Sequence, residues 1–189
     1  MDEENLAIEQ IRSGDVQTYA VLVRKYETRV RGYCLGALGN AADADDAAQE
    51  IFIKAYQSLD RFAGRSGFST WIYRIAVNHC RDLLRRKIRT RAESLDALSE
   101  QQGDWLEGQI AVQPRVDRPT DRMLEVRQAL TAMTPQAREV LVLREVQEMS
   151  YQETARALGC SLDAVKARLR RARKELEARL IKRGFRDGT

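Results

Sequence analysis

Proline is scarce in this chain: three residues in 189, Pro114, Pro119 and Pro135, interrupt otherwise long apolar-periodic stretches. That argues against an architecture of many short strands and for an all-α fold. Cysteine is equally sparse. Cys34, Cys80 and Cys160 are odd in number, far apart and in no C-x-x-C pair, which excludes a disulfide framework and a thiolate zinc site and predicts free, buried thiols. No apolar run approaches membrane-spanning length, and the opening MDEEN is acidic with no apolar segment behind it. The expectation is a cytoplasmic protein without a signal peptide or membrane insertion. A phosphate-cradling loop, a metal-ligand cluster and a nucleophile beside an oriented base are also missing. The chain is therefore not expected to be an enzyme or to need a cofactor or metal. Its single histidine, His79, falls on an apolar helical stripe and reads as a packed side chain.

What the chain does have is charge, unevenly placed. Charged residues make up 32% of it and the formal net charge is +4. Lys166, Arg168, Arg170, Arg171, Arg173, Lys174, Arg179, Lys182, Arg183 and Arg186 crowd one end, a distribution that suits a polyanionic partner. They lie on and after a recognisable pattern. Ser150 with Glu153 forms a capping box, Gly159 ends the first helix, and Ser161 caps a second. In the second helix Val165, Leu169, Ala172 and Leu176 form one apolar stripe. Lys166, Ala167, Arg170, Arg171, Arg173 and Lys174 fall elsewhere. Two helices joined by a short turn, the second cationic on its free side, are suited to the DNA major groove.

Earlier in the chain a short helix near Glu3 to Ile11 precedes one capped by Asp15, with Tyr19, Leu22, Val23, Tyr26, Val30 and Tyr33 at helical spacing. Gly39-Asn40 breaks it. Asp43 and Asp46 mark the next start, with Ala48, Ile51, Phe52, Ala55 and Leu59 inward and Gln49, Glu50, Ile53 and Lys54 on the other side. Phe62 to Phe68 is a glycine-bearing loop. After it Phe68, Ile72, Ile75 and His79 share one helical face, and Arg74, Asn78, Arg81 and Arg85 share another. An amide among arginines beside a Phe-bearing loop is suited to unstacked bases, held by their edges and by stacking.

From Glu93 to Asp121 acidic residues dominate and Gly103, Gly108, Pro114 and Pro119 interrupt the periodicity. This reads as a linker of about thirty residues. The organisation expected is a first helical domain over 1–90, a linker over 91–120 and a second helical domain over 121–189. In the second, Val140, Leu141, Leu143 and Val146 face inward.

The combination resembles the extracytoplasmic-function sigma factors, the two-domain members of the sigma-70 family. The motifs are Gly14-Asp15 with Leu22 and Tyr26; Asp46 to Tyr56; Phe62-x-Gly64; Phe68-Ser-Thr-Trp-Ile-Tyr-Arg-Ile-Ala-Val-Asn78; and Ser150-Tyr-Gln-Glu153 leading into the last helices. The resemblance implies a sigma region 2 domain that binds the clamp coiled coil of core RNA polymerase through Asp46, Gln49, Glu50, Ile53 and Lys54. It implies that the loop from Phe62 to Phe68, with Arg74, Asn78 and Arg81, captures a flipped base of the −10 promoter element. A region 4 domain would read the −35 element through Ser161, Lys166, Ala167, Arg170, Arg171 and Arg173 and touch the polymerase flap. It implies control by an anti-sigma factor, and a monomer when no partner is bound. Arg65-Ser66-Gly67 makes the loop more cationic than the usual version, and Arg170 stands where an aromatic often lies. The rival reading is a one-component helix-turn-helix repressor working without polymerase. Such proteins usually dimerise on palindromes, and no dimerisation helix is visible.

Overall fold

The computed structural model describes residues 3–98 and 121–182, with side chains described for 3–90 and 125–182. Among these residues every regular element is helical. Helices α1 (Glu3–Arg12), α2 (Val16–Leu38), α3 (Ala41–Gln57) and α4 (Phe68–Leu98) form the N-terminal half. Helices α5 (Asp121–Thr131), α6 (Pro135–Leu141), α7 (Tyr151–Leu158) and α8 (Leu162–Lys182) form the C-terminal half. Residues 99–120, which include Trp105, Leu106 and Ile110 of the expected linker, lie outside the described residues. The first part of that linker does not: α4 continues to Leu98. No glycine or proline interrupts the sequence between Gly67 and Gly103, and the Arg, Ala, Glu and Leu of residues 91–98 favour helix.

Most helix boundaries follow from local chemistry. The Asp15 carboxylate accepts from the Thr18 N–H, and Gly39 closes α2 in the left-handed region. Ser150 and Glu153 complete the capping box, and Gly159 ends α7 at φ 66°. Thr134 accepts from Ala137 N–H with Pro135 behind it, and Ser161 Oγ accepts from Ala164 N–H at 3.2 Å. The start of α3 is a correction. Its cap is Asn40, whose side-chain oxygen accepts from Asp43 N–H at 3.2 Å, so the helix begins at Ala41 rather than at Asp43. The aspartates instead recruit cations: Asp45 pairs with Arg31 and Asp43 with Lys87.

A second correction concerns Val146, which is exposed. Val142–Val146 forms a π-helical turn. Its longer repeat rotates the following residues relative to an α-helix, so Val142 and Leu143 are buried and Val146 faces outward.

In the N-terminal half α2 packs against both α3 and α4, and α1 lies across α2. Leu22, Tyr26, Val30, Tyr33, Ile51, Phe52, Ile72 and Val77 are among its buried side chains. Cys34 and Cys80, which lie 46 positions apart, come within 3.9 Å at sulfur, both buried. The hydrogen bond to Cys34, with burial adding to it, pushes the Cys80 thiol far above its ordinary value, so Cys80 packs as a neutral thiol.

The buried side chains of the two halves form one continuous cluster. Helix α4 packs on α7, and α2 packs on α5, α6 and the π turn. Gly36 permits a close approach: a Cβ there would lie 2.7 Å from Val142 Cγ2. Polar groups close the same joint. Arg138 donates to Ala37 O at 2.7 Å and, within its own half, to Thr131 O and Met133 O. Arg29 donates to Gln147 O at 2.8 Å, and Tyr73 Oη donates to the Gln147 side-chain oxygen.

Candidate protein-binding and nucleic-acid surfaces

Helix α3 separates its two sides cleanly. Ala44, Ala47, Ala48, Ile51, Phe52 and Ala55 are buried, whereas Asp46, Gln49, Glu50, Ile53 and Lys54 are all exposed. Ile53 is 56% exposed amid those polar groups, with half-exposed Tyr56 near it along the helix. An apolar residue held out of the core inside a charged strip is a typical centre for a protein contact. Beneath the strip lies His79 of α4, with its side chain 3% exposed. Lys54 Nζ hydrogen-bonds to His79 Nδ1, and Glu50 Oε2 lies 3.6 Å from His79 Nε2. Burial first, and the Lys54 charge second, push the imidazole below its ordinary value. The packed-histidine reading thus gains two specific neighbours that sequence spacing did not indicate.

The loop before α4 is organised from inside. Phe62 is 4% exposed and Phe68 is 1% exposed. Their rings meet edge-on at 6.0 Å, and Phe62 meets Trp71 at 5.3 Å. Arg12 reaches from α1 to donate to Leu59 O at 2.9 Å and to Phe62 O. Both phenylalanines are therefore anchors whose faces are covered by other rings, and the exposed part of the loop is Ala63, Gly64, Arg65 and Gly67. On α4, Arg74 and Asn78 are exposed. Arg81, one turn further, is not free. Its guanidinium makes a two-pronged pair with Glu139 of α6, at 2.8 to 3.1 Å, and Glu139 is itself buried. The hydrogen bond to Glu139 raises the Arg81 pKa further.

Helix α8 presents a different picture. Val165, Leu169 and Ala172 are buried, and Ser161, Lys166, Arg170, Arg171 and Arg173 are exposed, with Ala167 half-buried between them. Of the basic residues, Arg173 is engaged by Glu145 at 2.6 Å, and Lys166 lies 3.7 Å from the exposed Asp163. A pair between two exposed groups is a weak tether. The helix-turn-helix thus offers its cationic side outward while its apolar side docks on α6 and α7.

The structure exposes the candidates on α3, those on α8 apart from half-buried Ala167, and Arg74 and Asn78 on α4, buries Phe62 and Phe68, and holds these groups by contacts that sequence spacing missed. Glu139 and Gln147 close the joint from 58 and 74 positions away from their partners, a distance at which no local pattern gives a signal. The Arg12 clamp on the loop was missed for the same reason.

Comparisons with known proteins identify the two helical halves. Residues 22–90 match Sigma-70 region 2 and residues 123–176 match Sigma-70, region 4. Among curated relatives, the RNA polymerase sigma-H factor of Pseudomonas aeruginosa is 32% identical over 185 residues, covering 95% of this chain and 94% of the relative. The ECF RNA polymerase sigma-E factor of Haemophilus influenzae is 32% identical over 180 residues, covering 92% and 93%. Among solved structures, CnrH in complex with the cytosolic domain of CnrY is similar at a TM-score of 0.69 and 27% identity, over 96% of this chain and 99% of that one. The sigma factor RpoE of Bartonella quintana, in complex with the anti-sigma factor NepR, has the same fold at 0.67 and 22% identity, over 87% and 98%. Identity above 30% along nearly the whole length, with both regions matched in order, makes this chain a member of the ECF RNA polymerase sigma factors of the sigma-70 family.

Proposed function

We propose that this sigma factor binds core RNA polymerase through the α3 strip of Asp46, Gln49, Glu50, Ile53 and Lys54 and directs it to promoters with two DNA-binding surfaces. The −35 element is read as duplex by Lys166, Ala167, Arg170 and Arg171 on α8, with Ser161 at the helix start and Arg173 beside them. The −10 element is read as an opened strand by the loop up to Phe68 and by Arg74, Asn78 and Arg81 on α4. The base is held at the exposed loop backbone and the Asn78 amide, and Phe62 shapes the loop from beneath. Region 2 acts within residues 1–90 and region 4 within 121–189, with 91–120 spanning the polymerase between them. The observation that carries this reading is the outward display, on separate helices of one chain, of a protein-binding strip on α3 and a cationic strip on α8.

Binding to the opened strand offsets part of the cost of unstacking, while phosphate contacts set the register. Arg81 reaches DNA only if it leaves Glu139, so promoter opening by this chain requires the joint between its halves to part. The likeness to CnrH, solved in complex with the cytosolic domain of CnrY, supports a protein partner for this chain, and membership of the sigma family makes an anti-sigma factor that holds it inactive the partner we propose. No helix among the described residues is long and apolar enough to cross a membrane, which is compatible with action on polymerase in the cytoplasm. Transcription with sigma-free core polymerase on DNA upstream of the chain's own gene tests the function. A discrete transcript that depends on the protein is expected. Duplex binding with no transcript and no association with core would favour the repressor reading.

A further inference from the structure

The polymerase-facing strip contains a feature that surface chemistry alone does not require: a histidine buried under it. His79 sits on α4, yet its two ring nitrogens address α3, Nδ1 through Lys54 Nζ and Nε2 towards Glu50 Oε2 at 3.6 Å. A lysine ammonium has donors only, so Nδ1 must be the acceptor and the neutral ring carries its proton on Nε2. Nε2 is buried and has no hydrogen-bond partner. At 3.6 Å the carboxylate is near enough to attract it and too far to bond it. Lys54 and Glu50 are themselves 3.7 Å apart. Two long, half-exposed side chains are thereby gathered over one rigid ring, at the edge of exposed Ile53.

We infer that His79 is a positioning residue for polymerase binding: it holds Lys54 and Glu50 in the orientation in which the α3 strip meets its partner. The inference rests on the reading of that strip as the core-binding surface. The physical gain is preorganisation. A lysine on a surface helix must give up rotamer freedom when it is captured at an interface, and one already tethered gives up less. The neutral ring is required for this. Besides Lys54 and Glu50 on α3, the charged groups around His79 are Asp82 and Arg86 on α4. Burial and the neighbouring ammonium hold the ring below its ordinary value of 6.5, so it is neutral at neutral pH. As pH falls through that lowered value Nδ1 gains a proton, ceases to accept, and repels the ammonium it held.

Three substitutions separate positioning from packing. His79→Leu keeps an apolar, buried side chain but offers Lys54 no acceptor; it should leave thermal stability near that of the parent and weaken core binding by about tenfold. His79→Asn puts an amide oxygen near the Nδ1 position and should bring affinity back to within about threefold of the parent. The parent should lose affinity relative to His79→Asn only as pH falls below about 6.5, and hold it above. On a Lys54→Ala, Glu50→Ala background His79→Leu should have no further effect, because the groups it positions are gone. The measurement is affinity for sigma-free core polymerase, with Ile53→Asp as the reference for the strip. If Ile53→Asp weakens binding while folded His79→Leu binds like the parent, or if parent and His79→Asn share one pH profile, the inference fails alone. If Ile53→Asp has no effect, the core-binding reading fails and the inference falls with it.

Discussion

Helices α4 and α8 both carry arginines on the side away from their apolar stripe, and in sequence they look like two versions of one surface. In the folded chain they differ. On α8 Lys166, Arg170, Arg171 and Arg173 face solvent, and the pair of Arg173 with Glu145 lies between exposed groups and is weak. On α4 Arg74 and Asn78 face solvent, but Arg81 is clamped by buried Glu139 at the joint with the other half. Under the proposed assignment, the surface for duplex DNA is preformed on one small unit, whereas the surface for opened DNA is kept incomplete by an internal carboxylate that occupies an arginine in place of phosphate.

That contrast can be broken from either side. The largest effect should come from reversing charge on the open surface. Lys166→Glu with Arg170→Glu should lower affinity for −35 duplex on the order of a hundredfold at low salt and flatten the salt dependence, measured by titration at several salt concentrations. On the closed surface Glu139→Ala removes one partner of a largely buried pair. Because Arg81 retains some solvent access, the cost to the joint should be about 2 kcal/mol, below the usual figure for a fully buried pair. The distance between probes on α3 and α8, followed by energy transfer, should lengthen. Asn78→Ala should reduce open-complex formation by about tenfold while −35 duplex affinity is unchanged. Equal loss of both would erase the division of labour.

The smallest effect concerns the scaffold that both surfaces share. Ser150→Ala removes half the capping box and should cost about 1 kcal/mol in a denaturation experiment. The same box gives a pH signature. Hydrogen bonds from Ser150 hold the Glu153 carboxyl below its ordinary 4.5. A depressed carboxyl contributes its stability above the unfolded value and loses it as pH falls through the folded one. Ser150→Ala should therefore lose less stability than the parent on acidification below about pH 4.5.

The helices were legible because their signals are local: Asp15, Ser150 with Glu153, Gly159 and Ser161 act within four residues of where they stand. The α8 surface was legible for the same reason, since stripe and cationic side are set by one helical period. Legibility failed where geometry was non-local or non-standard. The π turn displaced Val146, and Asn40 took the capping role that Asp43 and Asp46 had suggested. The burial of Phe62 and Phe68 depends on Trp71 and on Arg12 of α1. Pairing of Arg81 with Glu139, of Tyr73 with Gln147 and of His79 with Lys54 depends on which helices meet, and side-chain chemistry alone does not specify that.

The most direct test of the contrast is binding of the free protein to a single-stranded −10 oligonucleotide, compared between the parent and Glu139→Ala. If the joint keeps the α4 surface incomplete, the variant should bind this strand at least several-fold more tightly while both bind −35 duplex alike. Equal affinity of parent and variant for the single strand would mean that Arg81 is already free to act, and would contradict the account.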